Sequence, residues 1–117
     1  MATYSKIVLS ESTDGVGILV DDDATAGKLI HEGSGTAADY DEVWIYASNI
    51  SAADKKLTIE WGSTSVIIEQ TVTTEAGLVL VVPGLVLKGN ATEIEVRAFA
   101  EDTSSICLYG YVNRITA

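Results

Sequence analysis

Acidic side chains are the residues of this sequence with the most obvious capacity for chemistry. They form two groups in which carboxylates lie close together along the chain: Asp21, Asp22 and Asp23, and then Asp39, Asp41 and Glu42. Hard cations such as Ca²⁺ prefer several carboxylate oxygens, but neither group has the alternating ligand spacing and distal Glu of an EF-hand loop. We therefore interpret the first group as a solvated turn and the second as an acidic patch before a strand, and we predict no metal site.

The one histidine and the one cysteine are the other residues with catalytic potential. Nucleophilic catalysis needs a base held beside the nucleophile, and no recognisable motif surrounds any serine or Cys107. Cys107 lies between Ile106 and Leu108, which predicts a buried structural thiol, and a lone cysteine forms no internal disulfide. His31 has no evident partner ligands for zinc, so we predict a hydrogen-bonded strand side chain.

These observations predict a protein that is not an enzyme, with no catalytic residue and no cofactor. A small hydrolase that uses two of the 17 acidic residues is a distant alternative, because a glycosidase needs only one suitably spaced carboxylate pair. The spatial separation of two carboxylates cannot be deduced from their positions along the chain.

The aromatic residues raise a different possibility. Several of them would form a platform for stacking sugars if they faced outward together: Trp44, Trp61, Tyr40, Tyr46, Tyr109 and Tyr111. Packing in a core or an interface is the more common fate of strand aromatics. A carbohydrate-binding module is therefore an alternative to the functions considered below.

Length and composition limit the class of protein. The chain has 117 residues, 47% of them hydrophobic, which suits one folded domain that spans residues 1–117. A net charge of −10 would repel a phosphate backbone, so nucleic acid is not an expected partner. No apolar run approaches the roughly 20 residues needed to cross a bilayer, so no membrane partner is expected. The N-terminus lacks a basic stretch followed by an apolar core, and we expect synthesis in a cytoplasm.

The elements that position these residues are predicted to be strands. Val, Ile, Leu and Thr cluster between turn-forming residues near 4–9, 17–20, 27–31, 42–49, 56–61, 65–72, 78–82, 85–88, 93–100 and 105–114. No segment suits a crossover helix. The pattern predicts an all-β, single-domain β-sandwich of the jelly-roll kind with about 8 to 10 short antiparallel strands. Pro83-Gly84 is predicted to form a corner between the two sheets, and 32–40 a long surface loop.

The apolar pattern within the strands predicts which faces are covered. Leu57, Ile59 and Trp61 alternate with Thr58 and Glu60, which predicts one buried face and one solvated face. Three other stretches are apolar on both faces, at 43–47, 78–82 and 85–87. We predict that residues of the first two mediate self-association or docking: Val43, Trp44, Ile45 and Tyr46, and then Leu78, Val79, Leu80, Val81 and Val82. The alternative is that a loop of the same chain covers them.

Several stretches carry a resemblance to a known class of protein. They are 40–49, 57–62, Leu85 and 110–115, within a likeness that runs from Ile7 to the C-terminus. In these stretches the chain resembles small virion proteins of tailed bacteriophages. The resemblance implies a decoration or cement protein on the outside of the capsid, often a trimer.

The expected partners are accordingly the major capsid protein and further copies of this chain, in a homotrimer. The expected location is the capsid surface of a virion assembled in the cytoplasm of a bacterial host. Another virion part, at the collar, tail or a head fibre, is the alternative within the same class.

Overall fold

The computed structural model describes residues 2–116, and it is built from β-strands without a helix in that range. The nine strands are β1 (Thr3–Val8), β2 (Ile18–Leu19), β3 (Lys28–Glu32), β4 (Tyr40–Asn49), β5 (Lys55–Trp61), β6 (Ile67–Val72), β7 (Val79–Lys88), β8 (Glu95–Ala100) and β9 (Ile106–Thr116). A search of residues 2–116 for a helix able to span a bilayer finds none. The predicted all-β class and the predicted number of strands are confirmed.

The strands form two antiparallel sheets with jelly-roll topology. Sheet A has the order β1-β9-β4-β7, with β2 also paired to β9, and sheet B has the order β3-β8-β5-β6. Along the chain from β2 to β9, consecutive strands alternate between the sheets except where β5 and β6 pair as neighbours in sheet B. This order of crossings is that of a jelly roll, in which two four-stranded sheets pack face to face.

The core lies between the two sheets and is entirely aliphatic. Within residues 2–116 the buried hydrophobic residues are Leu9, Ile18, Val20, Ile30, Val43, Ile45, Ala47, Leu57, Ile59, Val72, Val81, Val82, Leu87, Val96, Ala98, Ala100, Ile106, Leu108 and Val112. Each fully buried Val, Leu or Ile contributes about 1.5–3 kcal/mol relative to an exposed one. No aromatic residue is among these buried side chains, although Trp61 is partly buried and packs against them.

The prediction of a corner at Pro83-Gly84 is wrong, because the segments 78–82 and 85–88 belong to one strand. Strand β7 runs through both residues, and its register against β4 shifts between Val43 and Trp44 so that Gly84 is an extra residue. Gly84 has φ +72°, the conformation that glycine tolerates best and that allows a bulge. Pro83 is accommodated because β7 is an edge strand of sheet A.

The prediction that β5 has one solvated face is also wrong. Glu60 points away from the core, yet it is buried, and the segment 21–27 lies against it. The Gly27 N–H donates to Glu60 Oε1 at 2.6 Å, and the Thr25 hydroxyl donates to Oε2. Hydrogen bonds of this kind reduce the free-energy cost of removing a carboxylate from water. Thr58, on the same face, is buried as well.

A buried polar cluster connects the two sheets at one end of the sandwich. His31 of β3, in sheet B, contacts Asp41 of β4, in sheet A, with 2.8 Å between Nε2 and Oδ2. Arg114 of β9 donates to both oxygens of Asp41, at 2.7 and 2.9 Å. The predicted role of His31 as a hydrogen-bonded strand side chain is confirmed. The predicted acidic patch before a strand is corrected in part, because Asp41 and Glu42 lie within β4 and because Asp39 and Asp41 are buried and hydrogen-bonded.

Candidate binding face on the outer side of sheet A

The outer side of sheet A collects aromatic side chains from three strands. In β4 the alternation of buried and less buried residues places Val43 and Ile45 in the core and turns Trp44 and Tyr46 outward. The pairing of β4 with β9 sets Trp44 opposite Tyr111. Residues that are directly opposite in antiparallel strands share a face of the sheet.

The full set of these residues includes every tyrosine of the chain. We name it the aromatic face: Tyr4, Tyr40, Trp44, Tyr46, Tyr109 and Tyr111. Tyr4 is 73% exposed and Tyr40 is 42% exposed, whereas the other four are half-buried. Of the six residues that the sequence proposed for a sugar platform, five are therefore together. Trp61 is not, since it lies in β5 and packs against the aliphatic core.

Trp44 and Tyr111 form the centre of the aromatic face. Their ring centroids are 6.1 Å apart and their planes are inclined by 12°, so the rings are nearly parallel. On the side towards β7, the indole lies against Gly84, where a Cβ would come within 2.8 Å of Trp44 Cζ2. The bulge in β7 thus provides the flat backbone surface on which the indole rests.

A carboxylate and an amide lie beside this pair of rings. Glu42 Oε1 accepts hydrogen bonds from Trp44 Nε1 at 2.8 Å and from Asn113 Nδ2 at 2.9 Å. These two hydrogen bonds lower the pKa of Glu42, so the carboxylate is ionised at neutral pH. Together with Tyr4, Ser5, Lys6 and Ile115, Glu42 and Asn113 line a depression of about 340 Å³.

The two lysines on the aromatic face contact tyrosine rings, whereas the other Lys and Arg side chains in residues 2–116 contact carboxylates. Lys6 Nζ lies 4.9 Å from the centroid of the Tyr111 ring, and Lys88 Nζ lies 5.3 Å from that of Tyr40. These distances are within the range of a cation–π contact. The other five bases of the chain each have an acidic partner within 4.0 Å: Lys28, Lys55, Lys56, Arg97 and Arg114.

Strand β7 and the residue before it add exposed aliphatic side chains along the edge of sheet A. We name them the apolar rim: Leu78 (60% exposed), Leu80 (42%), Leu85 (42%) and Val86 (53%). The sequence predicts docking for Leu78 and Leu80. Leu85 and Val86 belong to the stretch 85–87, which is apolar on both faces but is not among the predicted docking residues. Exposure in the folded chain is what distinguishes all four from their buried neighbours.

Some of the residues predicted to mediate docking are buried in the core, and the others retain exposed surface. Val43, Ile45, Val81 and Val82 are buried in the aliphatic core, so a partner cannot reach their side chains in this fold, and that part of the prediction is corrected. The register of β7 against β4 shifts a second time near Val81, which explains why two consecutive residues point inward. Trp44, Tyr46, Val79, Leu78 and Leu80 retain exposed surface, and their role in docking stays a prediction.

The cysteine and the possible metal ligands of residues 2–116 do not come together in a site. Cys107 is half-buried on the outer side of sheet A rather than in the core, because Ile106 and Leu108 on either side point inward. Within residues 2–116, no three His, Cys, Asp or Glu residues lie in an arrangement suited to a metal ion.

A second depression, of about 420 Å³, lies over sheet B and is lined by Glu60, Glu95 and Arg97 among others. Its charged groups form hydrogen bonds with one another, with the Thr25 hydroxyl or with the Gly27 backbone. Arg97 donates to Glu95 and to the Gly27 carbonyl, and Glu60 accepts from Gly27 and Thr25.

Comparison with known proteins gives one similar solved structure. No family model matches the chain, and no curated protein matches it. The solved structure contains the CBM22-1 and GH10 modules of the N-terminal endo-1,4-β-D-xylanase 10B of Clostridium thermocellum in complex with xylohexaose. The identity is 10% with a TM-score of 0.49, over 99% of this chain and 24% of the other.

Proposed function

We propose that this chain is a structural protein of a tailed-bacteriophage particle, a decoration protein that binds the outside of the capsid. In this proposal it forms homotrimers and strengthens the shell by bridging neighbouring subunits of the major capsid protein. The observation that carries the proposal is the apolar rim, four large aliphatic side chains in or directly before the edge strand β7 that are each at least 42% exposed. Clustered exposure of this kind is typical of protein interaction sites.

The features of β7 favour docking through side chains rather than through backbone pairing. Pro83 provides no N–H to a further strand, and the two bulges of β7 bend its free edge. Edges with these features resist the addition of another strand. The leucines and valine of the apolar rim are therefore the groups that a neighbouring subunit would contact.

The distribution of charge suits a protein that is exposed on a particle. The net charge of −10 keeps copies of the chain apart until a specific contact forms. Aliphatic side chains without charge form the specific contact, and acidic loops face the solvent. Another virion part, at the collar, tail or a head fibre, would use the same rim at a lower copy number.

The copy number on purified particles tests the proposal. We expect on the order of 100 copies per particle, because a decoration protein repeats with the symmetry of the shell. A copy number of about a dozen or fewer would instead indicate a tail or collar part, which repeats around a single axis. Quantitative mass spectrometry of particles from the phage that encodes this chain gives the number directly.

The role of the apolar rim is tested on the same particles. Val86→Lys places a charge in the rim and should remove most copies from the particle, because a buried unpaired charge is costly. Val66→Lys is the matched control, since Val66 is 55% exposed but lies in the turn before β6. Particles that carry Val86→Lys at the wild-type copy number would exclude docking through the rim.

The aromatic face favours a second candidate function, a carbohydrate-binding module. All five tyrosines and Trp44 face outward from sheet A. Aromatic residues that face outward together are what the sequence analysis requires of a platform for stacking sugars. Loss of binding to an immobilised polysaccharide when Tyr111 is replaced by Ala would support this function. No binding by the wild-type chain would exclude it.

A further inference from the structure

Most of the aromatic residues of the chain lie outside its aliphatic core. The core is made of Leu, Ile, Val and Ala alone, yet six of the eight aromatic residues lie on the outer side of one sheet. Exposed aromatic surface costs free energy in water unless a ligand covers it. The aromatic face is therefore best explained by a ligand that is flat and partly apolar.

The polar groups beside the rings define what else the ligand must offer. Glu42 is an ionised acceptor, and within residues 2–116 only its Oε1 accepts hydrogen bonds, which leaves Oε2 for an O–H of a ligand. Asn113 and Lys6 provide donors in the same depression of about 340 Å³. A ligand that fits must present both donors and acceptors along its edge and a nonpolar surface on its face.

We infer that the aromatic face binds a neutral polysaccharide, whose pyranose rings stack on Trp44 and Tyr111 while their hydroxyl groups bond to Glu42 and Asn113. This inference rests on the second candidate function and names its ligand class and its site. A pyranose ring has a C–H face that packs on an aromatic ring and hydroxyl groups around its edge. The residues from Tyr40 to Tyr46 span about 20 Å of strand, which accommodates several consecutive sugar units.

The net charge of the chain favours a neutral ligand over an acidic one. A uronate or sialate chain would bring carboxylates close to the ionised Glu42, in a protein whose net charge is −10. Lys6 and Lys88 each lie over a tyrosine ring and offset only part of this repulsion. A neutral glycan gains the same stacking and hydrogen bonds without that repulsion.

Binding to soluble oligosaccharides tests the inference on the whole chain. The probes are neutral hexasaccharides of the β-1,4-glucan, chitin, mannan and xylan types, with oligomers of alginate and polygalacturonate as the anionic set. Titration calorimetry should detect at least one neutral hexasaccharide, and its affinity should barely change with salt. No binding of any neutral probe at millimolar concentration, or binding of the anionic probes alone, would overturn the inference.

Single substitutions then test the site. Tyr111→Ala and Glu42→Gln should each weaken binding about tenfold, because aromatic anchors and charged acceptors carry most of the affinity of such sites. Tyr40→Ala should weaken it with little risk to the fold, since Tyr40 is 42% exposed. Phe99→Ala is the control, because Phe99 lies on sheet B, and it should bind as the wild type does. Unchanged binding by Tyr111→Ala and Tyr40→Ala would overturn the assignment of the site.

The same variants separate this inference from the proposed role in the particle. Tyr40→Ala and Tyr111→Ala leave the apolar rim intact, so we expect them to reach the particle at the wild-type copy number. If they instead lose self-association and no variant affects glycan binding, the aromatic face is a protein interface and the inference is wrong. If the Val86→Lys protein is absent from purified particles but still binds the glycan, docking to the particle and glycan binding use separate surfaces, and neither result depends on the other.

Discussion

Asp41 is the residue on which the polar end of the sandwich depends. Its carboxylate is completely buried and accepts three hydrogen bonds, two from Arg114 and one from His31. His31 Nδ1 accepts a hydrogen bond from the Ser10 N–H at 3.0 Å, so the proton of the neutral ring is on Nε2 and is donated to Asp41. Burial raises the pKa of Asp41, but the hydrogen bonds from Arg114 and His31 and the charge of Arg114 outweigh it and lower the pKa from 3.8 to about 2.

Asp41 should therefore make the stability of the chain depend on pH in the acidic range. The lowered pKa contributes about 2 kcal/mol, which is fully present above the unfolded-state pKa of about 4 and is lost as pH falls towards 2. We expect Asp41→Asn to lower the free energy of unfolding by about that amount at pH 7 and by much less near pH 2. Urea denaturation across this range measures both values. Glu69→Gln, in the exposed pair with Lys56, should have little effect, and an Asp41→Asn deficit as large at pH 2 as at pH 7 would contradict the assignment.

Strand β7 shows how one element serves the core and the surface together. Its two bulges turn Val81 and Val82 inward in succession and leave Leu80, Leu85 and Val86 exposed. The same bulges bend the free edge of sheet A, which opposes the unspecific pairing that a straight apolar edge invites. The apolar residues of β7 thus divide into a core set and a rim set by backbone geometry rather than by residue type.

Gly84 should be required for the position of the Trp44 indole as well as for the bulge. Gly84→Ala combines a strained positive φ with a Cβ 2.8 Å from the indole, whereas Gly77→Ala has a similar φ of +73° and nothing within 4 Å. We expect Gly77→Ala to cost about 1 kcal/mol from backbone strain alone and Gly84→Ala to cost about 1–3 kcal/mol more because of overpacking. Denaturant unfolding gives the two costs, and near-UV circular dichroism should change for Gly84→Ala only. Equal costs with unchanged spectra would show that the indole does not rest on Gly84.

At the scale of the whole molecule, the two outer surfaces of the sandwich differ in composition. Sheet A presents aromatic rings, two lysines that contact tyrosine rings and the apolar rim, whereas sheet B presents ion pairs such as Lys56–Glu69 and Arg97–Glu95. The residues described extend 48 × 26 × 21 Å. An asymmetry of this kind is expected of a module that binds through one side.

Self-association through the apolar rim should be visible in solution. We expect sedimentation equilibrium of the wild-type chain to give about three times the chain mass of 12.4 kDa, as for a closed trimer. Val86→Lys should shift the mass towards that of one chain, and Val66→Lys should leave it unchanged, because only the first residue belongs to the rim. A wild-type mass of one chain at all concentrations would contradict trimer formation.

The sequence by itself determined the class of the fold and the alternation of its strands. Period-two patterns such as Ile94, Val96 and Ala98 against Glu95 and Arg97 predict which residues of β8 point inward, and the burial of Val96 and Ala98 agrees with this. Such patterns are readable because the side chains of a strand alternate between its two faces whatever the rest of the chain does. Turn-forming residues, which act locally in the same way, predict most of the strand ends, whereas Pro83-Gly84 lies within β7.

Only the tertiary structure decided which surfaces can bind. The aromatic face combines Tyr4, Trp44 and Tyr111, and these residues meet only because β1 and β4 pair with β9. Glu60 has a strand pattern that predicts exposure, and it is buried by Gly27, 33 residues away. Contacts between residues so distant in sequence are set by strand order and register, which depend on the packing of the whole core rather than on any local pattern.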